Sequence, residues 1–579
     1  MATLKKLSVD AVLVGFGWTG AIMGMEHTGA GLKVLALERG EMRDTFRISR
    51  IRASPMSCLT VFVASFFQNL ARETVTVRHA VADVAVPYRQ LGSFLPGDGV
   101  GGAGEHWNGH HWRPLPDDLR IRSRYEERYG KKFIPEGMQL QDWGVSYDEL
   151  EPDFDQFEKV AGISGKAGNL AGKLQKGGNP FEGPRSIEFP RPPLALLNSG
   201  LLFDKAAGEL KYHPFPQAAA SATRQYTNPH GAQLAPCSFC GFCDRYGCYN
   251  FSKASPQKTL LPTLLHRPNF ELRTRSNVLR VNMAPDGKQA TGVTYIDAQG
   301  NEVEQPADLV VLCAYQFHNV RLLLLSGIGK KYDPATGRGV IGRNYAYQLN
   351  AGVTLFFDKN LLMNSFVGAG ASGSVIDDFD GNNLDHGPAG FVGGALIACI
   401  NTGGRPIQQM SVPDGVPNWG ADWKRAIKDN YLHTTSVGSQ GSVMAYRDNY
   451  IDLDPTYKDV HGQPLLRMTF DWKPNDIAMT QFIVKKMQAM GPRETKVNVR
   501  KPGDHYDLRV YQSTHNTGGA PMGTDPATSA INRFLQMGDV SNVFVMGASA
   551  FPQNFGYNPT GMVTALAYWS ARAIRERYL

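Results

Sequence analysis

Three kinds of segment follow from the order of apolar and polar positions. Uninterrupted apolar runs, Asp10-Ala-Val-Leu-Val14, Lys33-Val-Leu-Ala-Leu37 and Asp308-Leu-Val-Val-Leu-Cys313, predict strands buried on both faces, as in a parallel sheet covered by helices. Asn542-Val-Phe-Val-Met546 predicts a further such strand late in the chain. Alternating segments, Phe270–Val281 and Gly292–Ile296, predict a β-meander, and segments such as Leu465–Phe470 predict an antiparallel sheet between about residues 345 and 500. Ser146 with Glu149 forms a capping box that opens a helix over Tyr147–Ala161. A last helix is predicted over Thr560–Tyr578, with arginines near its end. Gly165–Arg185, rich in Gly, Lys and Pro, predicts a surface loop.

At 579 residues the chain predicts two or more domains, and its composition, 42% hydrophobic and 20% charged, is that of a globular protein. The 62 glycines suit a chain threaded around an extended ligand through tight turns. A net charge of +7 is compatible with an anionic substrate, an acidic redox partner or a membrane surface and selects none of them. No nucleic-acid partner is expected. The opening residues Met1–Asp10 lack an apolar core and a twin-arginine pair, so no secretory signal is predicted. The longest uncharged stretch, Ala53–Ala71, contains Pro55, Gln68 and Asn69; it predicts a buried helix or a partner-facing segment rather than a membrane span. The haem-attachment motif CxxCH is absent.

Two motifs carry chemistry. The first apolar run leads into Gly15-Phe-Gly17-Trp-Thr-Gly20, then a helix-compatible run, then a second strand ending at Glu38, 18 residues past Gly20. In that setting Gly15 permits the turn, Gly17 lets the backbone approach a pyrophosphate, and Gly20 lets helix and strand pack closely. Glu38 is placed to accept hydrogen bonds from ribose hydroxyls. These residues alone do not separate FAD from NAD. The second motif is Cys237-Ser-Phe-Cys240-Gly-Phe-Cys243-Asp-Arg-Tyr-Gly-Cys248, four of the seven cysteines within 12 residues. Disulfides at such spacing would be strained, whereas thiolates converging on one point suit zinc or an iron–sulfur cluster. Zinc generally takes two knuckles set a dozen or more residues apart, so one compact nest argues for iron and sulfide. Cys58, Cys313 and Cys399 stand in apolar contexts and read as core residues.

Further blocks decide the cofactor by resemblance. Glu38-Arg39-Gly40, Gly99-Val-Gly-Gly-Ala-Gly-Glu-His106-Trp-Asn108-Gly-His-His-Trp-Arg113, Ser146–Pro152, Leu322–Gly329 and the run His515–Thr564 resemble the glucose–methanol–choline (GMC) family of flavoprotein oxidoreductases nearly end to end. Within it the chain is most similar to the large subunits of bacterial membrane-associated sugar and sugar-acid dehydrogenases. The resemblance implies an α/β fold: a Rossmann-type FAD-binding domain over 1–344 and 501–579, the first part carrying the cysteine loop, with a substrate domain on an antiparallel sheet over 345–500. It places Gly101, Gly102, Asn108, Gly547, Ala548 and Thr560 at the FAD, and His106 where relatives with covalently held flavin carry the attaching histidine. His515, in a His-x-x-Gly-Gly-x-x-Met pattern, is the implied base for the hydroxyl proton, and Asn558 the amide that orients the substrate oxygen and borders the flavin. Cys237 and Cys243 match the spacing of the relatives' first cluster ligands, but four residues rather than three separate Cys243 from Cys248. A three-iron (3Fe–4S) cluster is favoured, and Cys240 leaves a four-iron (4Fe–4S) cluster open. Gly342-Arg-Asn344-Tyr-Ala-Tyr347 departs from the relatives' pattern at the edge of the substrate cavity.

The implied activity is FAD-dependent oxidation of a sugar or sugar-acid hydroxyl, with D-gluconate to 2-keto-D-gluconate matching best. Dehydrogenation of 2-ketogluconate, fructose or glucose, or an oxidase using O₂, are the alternatives. Electrons would pass through the cluster to a multihaem cytochrome c subunit or quinone. A small companion subunit would carry the export signal, placing the complex at the periplasmic face of the bacterial inner membrane, with membrane contact only through a partner.

Overall fold

The structure, a computed structural model, describes residues 3–43, 74–88, 94, 96–363, 367–401, 412–491, 495–498 and 515–578. The stretch Ala53–Ala71, with Cys58, lies outside the described residues.

The continuous apolar runs form a parallel sheet in the order Phe270–Arg273, Val34–Leu37, Val9–Val14, Glu302–Leu312 and Val543–Val545. Ala11 to Leu13 and Val310 to Leu312 have no exposed surface, as strands covered on both faces require. Trp18–Gly29, Tyr147–Ala161 and Thr560–Arg577 are packed helices, with Thr560–Arg577 lying against both of the others. The capping box is present: the Glu149 amide donates to Ser146 Oγ at 3.3 Å, and the Ser146 amide to Glu149 Oε2 at 2.9 Å.

The expected meander is shifted along the chain. Phe270–Arg273 joins the parallel sheet, and the antiparallel meander runs through Asn277–Met283, Ala290–Ile296 and the first half of Glu302–Leu312. The division falls at Arg275, which is left-handed (φ 53°) and donates its amide to Gly40 O at 3.0 Å, so the chain turns between the two strands. Gly165–Arg185 also differs from a simple surface loop. It contains a short hairpin, Asn169–Leu170 with Lys173–Leu174, and ends in the core, where Arg185 is ion-paired to buried Glu158.

The second layer is a six-stranded antiparallel sheet in the order Thr495–Asn498, Leu349–Phe356, Thr434–Gly441, Ala395–Ile400, Gly373–Ile376 and Phe215–Pro216. The helix Pro474–Ala489 covers one face, burying Met479, Ile483 and Met487. The other face looks into a cavity through Asn350, Leu396, Ser436 and Gln440. Leu465–Phe470 belongs to neither large sheet. Pro464–Thr469 pairs with Tyr450–Lys458 and, in parallel, with Val75–Arg78, which in turn pairs with Val86–Tyr88. This pairing and that of Phe215–Pro216 both cross the expected division at residue 344. Among the described residues, no helix is long and apolar enough to cross a membrane.

Candidate active site

One cavity of about 660 Å³ runs from the Gly15 turn, between the two layers, to the antiparallel sheet. Its first end is built from backbone. Gly15 is left-handed (φ 96°), and a Cβ there would stand 2.7 Å from Cys313 O. A Cβ on Gly20 would lie 2.3 Å from Gly15 O, so the helix Trp18–Gly29 packs on its own entry turn as closely as only glycine allows. Gly17, the N-cap of that helix, lines the cavity, and a Cβ there would stand 3.9 Å from Gly101 O, in ordinary contact with the second glycine turn. Glu38 ends the second strand, buried, its carboxylate accepting from the Phe16 and Gly40 amides at 3.0 and 2.8 Å. Gly101 and Gly102 close a second glycine turn against the first: the Gly101 amide donates to Phe16 O at 2.6 Å, and a Cβ on Gly102 would reach Gly17 Cα at 3.2 Å. His106 and Asn108 follow along the wall. On the far side Gly547 (φ 84°) and Ala548 line the cavity, with open space where a Gly547 Cβ would be. Thr560 starts an 18-residue helix whose N-terminus faces inward.

At the other end the C-terminal segment brings in His515 and Asn558, with His515 Nε2 3.0 Å from Asn558 Nδ2. His515 holds a left-handed backbone (φ 70°), a conformation that costs energy and marks an imposed position. Its carbonyl accepts from Asn554 Nδ2 at 2.7 Å, and the next residues, Asn516–Thr517, pair with Ala346–Tyr347. Tyr345 Oη donates to Asn516 Oδ1 at 2.6 Å, so the segment that departs from the family pattern braces the histidine strand. Burial, and then the nearby His110, lower the His515 pKa to about 3. The imidazole is therefore neutral at pH 7, the state needed to accept a proton. Among the described residues, His515 Nδ1 and Asn558 Oδ1 are buried without hydrogen-bond partners, as groups awaiting a ligand are. His110, Gln217, Asn350 and Gln440 share this end of the cavity and went unnoticed in the sequence. The doubled histidine after Gly109 was the one available signal; the sheet residues read as ordinary alternation.

The cysteine loop packs behind His106. The Arg245 amide donates to His106 O at 2.9 Å, and buried Lys253 donates its ammonium protons to Trp107 O, to Cys243 O at 2.9 Å and to Tyr246 O at 2.8 Å. Asp244 and Arg245 line the cavity wall. The four cysteines are unbridged, and Cys237 and Cys243 each lie within electrostatic reach of Cys240 and Cys248. Backbone amides of Phe239 and Lys253 point at the Cys237 and Cys248 sulfurs, each at 3.4 Å. Burial pushes the Cys243 thiol up to about 12, so only a bound cation would make it a thiolate. Among the described residues, no three His, Cys, Asp or Glu side chains are gathered tightly enough for a single ion. Thiolates shared among several bridged irons are spread more widely than those on one ion. Cys313 and Cys399 are buried core residues, as expected.

A parallel βαβ sheet with a glycine fingerprint, sharing its cavity with an antiparallel sheet and a His–Asn pair, defines a dinucleotide-dependent oxidoreductase. The family description GMC oxidoreductase matches residues 209–350 and 445–567. The chain is 55% identical over 583 residues to the gluconate 2-dehydrogenase flavoprotein of Pantoea cypripedii, covering 100% of this chain and 94% of that one. It is 28% identical to 2-methyl-1,2-propanediol dehydrogenase of Mycolicibacterium austroafricanum over 83% of this chain and 81% of that one. It is 21% identical to the fructose dehydrogenase large subunit of Gluconobacter japonicus, over 98% of both. Formate oxidase of Aspergillus oryzae, at 15% identity, shares the fold with a TM-score of 0.61 over 100% of this chain and 99% of that one. The chain belongs to the GMC oxidoreductase family, and its cofactor is accordingly FAD. The residues present fit that group: two glycine turns in backbone contact, a helix N-terminus at the cavity wall and a buried carboxylate in the ribose position of the fingerprint.

Proposed function

We propose that the protein is the flavoprotein subunit of a sugar-acid dehydrogenase, oxidising D-gluconate to 2-keto-D-gluconate. The observation that carries this reading is the neutral, enclosed His515 imidazole, 3.0 Å from the Asn558 amide, in the cavity that begins at the dinucleotide turn. Full-length similarity to a gluconate 2-dehydrogenase flavoprotein supports the substrate. His515 takes the hydroxyl proton; Asn558 binds the same oxygen and fixes the carbinol. His515 Nδ1 and Asn558 Oδ1 are buried at the cavity wall. Gly15, Gly17, Gly20, Gly101 and Gly102 give backbone access to the FAD pyrophosphate, Glu38 its ribose, and Asn108, Gly547, Ala548 and Thr560 the ring end, with His106 the point of covalent attachment if the flavin is bonded. When bound, FAD supplies the two-electron acceptor, and an iron–sulfur cluster on Cys237, Cys243 and Cys248 supplies a one-electron outlet. Cys240 becomes a fourth ligand if the cluster has four irons.

Relatives named as a flavoprotein and a large subunit support assembly with partner subunits. The proposed complex has a small subunit bearing the export signal and a multihaem cytochrome c as acceptor, at the periplasmic face. The test is anaerobic titration of the purified yellow protein with aldonates, aldoses and ketoses, together with iron and acid-labile sulfide analysis. Bleaching by D-gluconate with 2-keto-D-gluconate as product, and iron present, is the expected result. Bleaching by fructose or glucose alone, or stoichiometric peroxide under air, would replace this reading.

A further inference from the structure

The cavity wall beside His515 holds a group that the proposed chemistry leaves unused. After the second glycine turn the chain reaches Gly109, whose left-handed backbone (φ 88°) precedes two histidines that face opposite ways. His111 points into the core, its Nε2 2.8 Å from Glu158 Oε1. His110 lines the cavity, its Nε2 3.1 Å from the Asn108 amide nitrogen, with the Gln217 side chain beside it. It is near enough to His515 that charge on one disfavours charge on the other.

Fixed charge is scarce at this end. Among the described residues, the charged side chains lining the cavity are Glu38, Arg39, Asp244, Arg245 and Arg321. Glu38 and Arg39 follow the fingerprint unit, and Arg321 is paired with Asp459 at 2.7 Å. Asp244 and Arg245 belong to the cysteine loop and are paired with each other, Arg245 Nε 3.9 Å from Asp244 Oδ2. The antiparallel sheet presents only neutral groups there. The titratable group whose charge meets that of His110 is thus His515, with His106, Asp244 and Arg245 lining the same cavity from the loops alongside. A carboxylate next to the reacting carbon meets no permanent cation at His515. Only an imidazole can become one at neutral pH. His515 has to stay neutral to take the hydroxyl proton, and of the other imidazoles lining the cavity, His106, His110 and His318, it is His110 whose charge is felt at His515.

We propose that His110 recognises the substrate's carboxylate, taking up a proton from solvent as the sugar acid binds and holding the anion as an imidazolium. The assignment rests on the sugar-acid reading above. Burial lowers the pKa of the ring to about 4 without a ligand, so at pH 7 the proton arrives only with the anion. The acid is thereby selected over the uncharged alcohol of the same skeleton.

The test is calorimetric titration of 2-keto-D-gluconate, an acid with no hydroxyl left at the reacting carbon, into the holoenzyme in buffers of different ionisation heat. The expected result is uptake of about one proton per ligand, with affinity falling about tenfold per pH unit above neutrality. In His110→Gln, with flavin content and melting temperature as folding controls, uptake disappears and the loss falls on KM for D-gluconate rather than on the saturating rate. The preference for D-gluconate over D-glucitol collapses in parallel. Binding by the wild type without proton uptake, or equal losses for D-gluconate and D-glucitol in the variant, would overturn the assignment. A wild type that neither binds 2-keto-D-gluconate nor is bleached by D-gluconate would overturn the sugar-acid reading beneath it.

Discussion

His515 is held neutral first by burial and then by the neighbouring His110, and this sets its pH behaviour. A base whose pKa is lowered to about 3 stays competent far into acid, so flavin reduction at saturating substrate should keep its rate well below pH 6.5, where an exposed histidine would already be protonated. Stopped-flow reduction between pH 4.5 and 8 checks this; an acid limb near 6.5 would mean that the ring is solvated in the working enzyme. His515→Ala should lower the reduction rate by about 10²–10⁴ while leaving the protein yellow, because no dinucleotide contact is removed. Gly20 gives the opposite pattern. Gly20→Ala drives a methyl to 2.3 Å from Gly15 O, and opening the turn should cost about 1–3 kcal/mol and release flavin, read by melting temperature and bound absorbance.

At the scale of elements, the cysteine loop and the flavin wall are one unit, joined by Lys253 and by the Arg245–His106 main-chain bond. On the proposed cluster, serine at Cys237, Cys243 or Cys248 should remove iron and end reduction of a one-electron acceptor, yet spare anaerobic bleaching by substrate. Cys240→Ser separates the two cluster types: unchanged iron content and spectrum fit three irons, loss fits four. Elements differ in how legible they were from sequence. The buried strands at Val9, Val34, Val310 and Val543 were legible because burial on both faces forbids polar residues, and the glycine turns because positive φ and close approach demand glycine. The His515–Asn558 pairing rested on family resemblance. The shift of the meander was not legible, since it depends on the left-handed turn at Arg275, a residue type that gives no local warning. His110 was missed because its direction is set by Gly109 and by Glu158 claiming its neighbour.

For the whole molecule, what no local pattern could give is which distant segments meet. Val75–Arg78 pairs with Pro464–Thr469, and Phe215–Pro216 closes the substrate sheet, so both layers draw on early and late chain. That interleaving makes unfolding of one layer costly to the other and turns buried groups into global stability terms. His27 is such a group. It sits in the helix under Gly15, 1% exposed, with no hydrogen bond to either ring nitrogen among the described residues, and burial lowers its pKa to about 4. The unfolded chain protonates it near 6.5, the folded protein only near 4. Its contribution is therefore intact above pH 6.5 and lost as pH falls from there towards 4, reaching about 2 kcal/mol at pH 5. His27→Leu removes the titration while keeping an apolar side chain of similar bulk. Its melting temperature should fall less than that of the wild type between pH 7.5 and 5, and parallel curves for the two proteins would show that His27 meets solvent or a partner before the fold gives way.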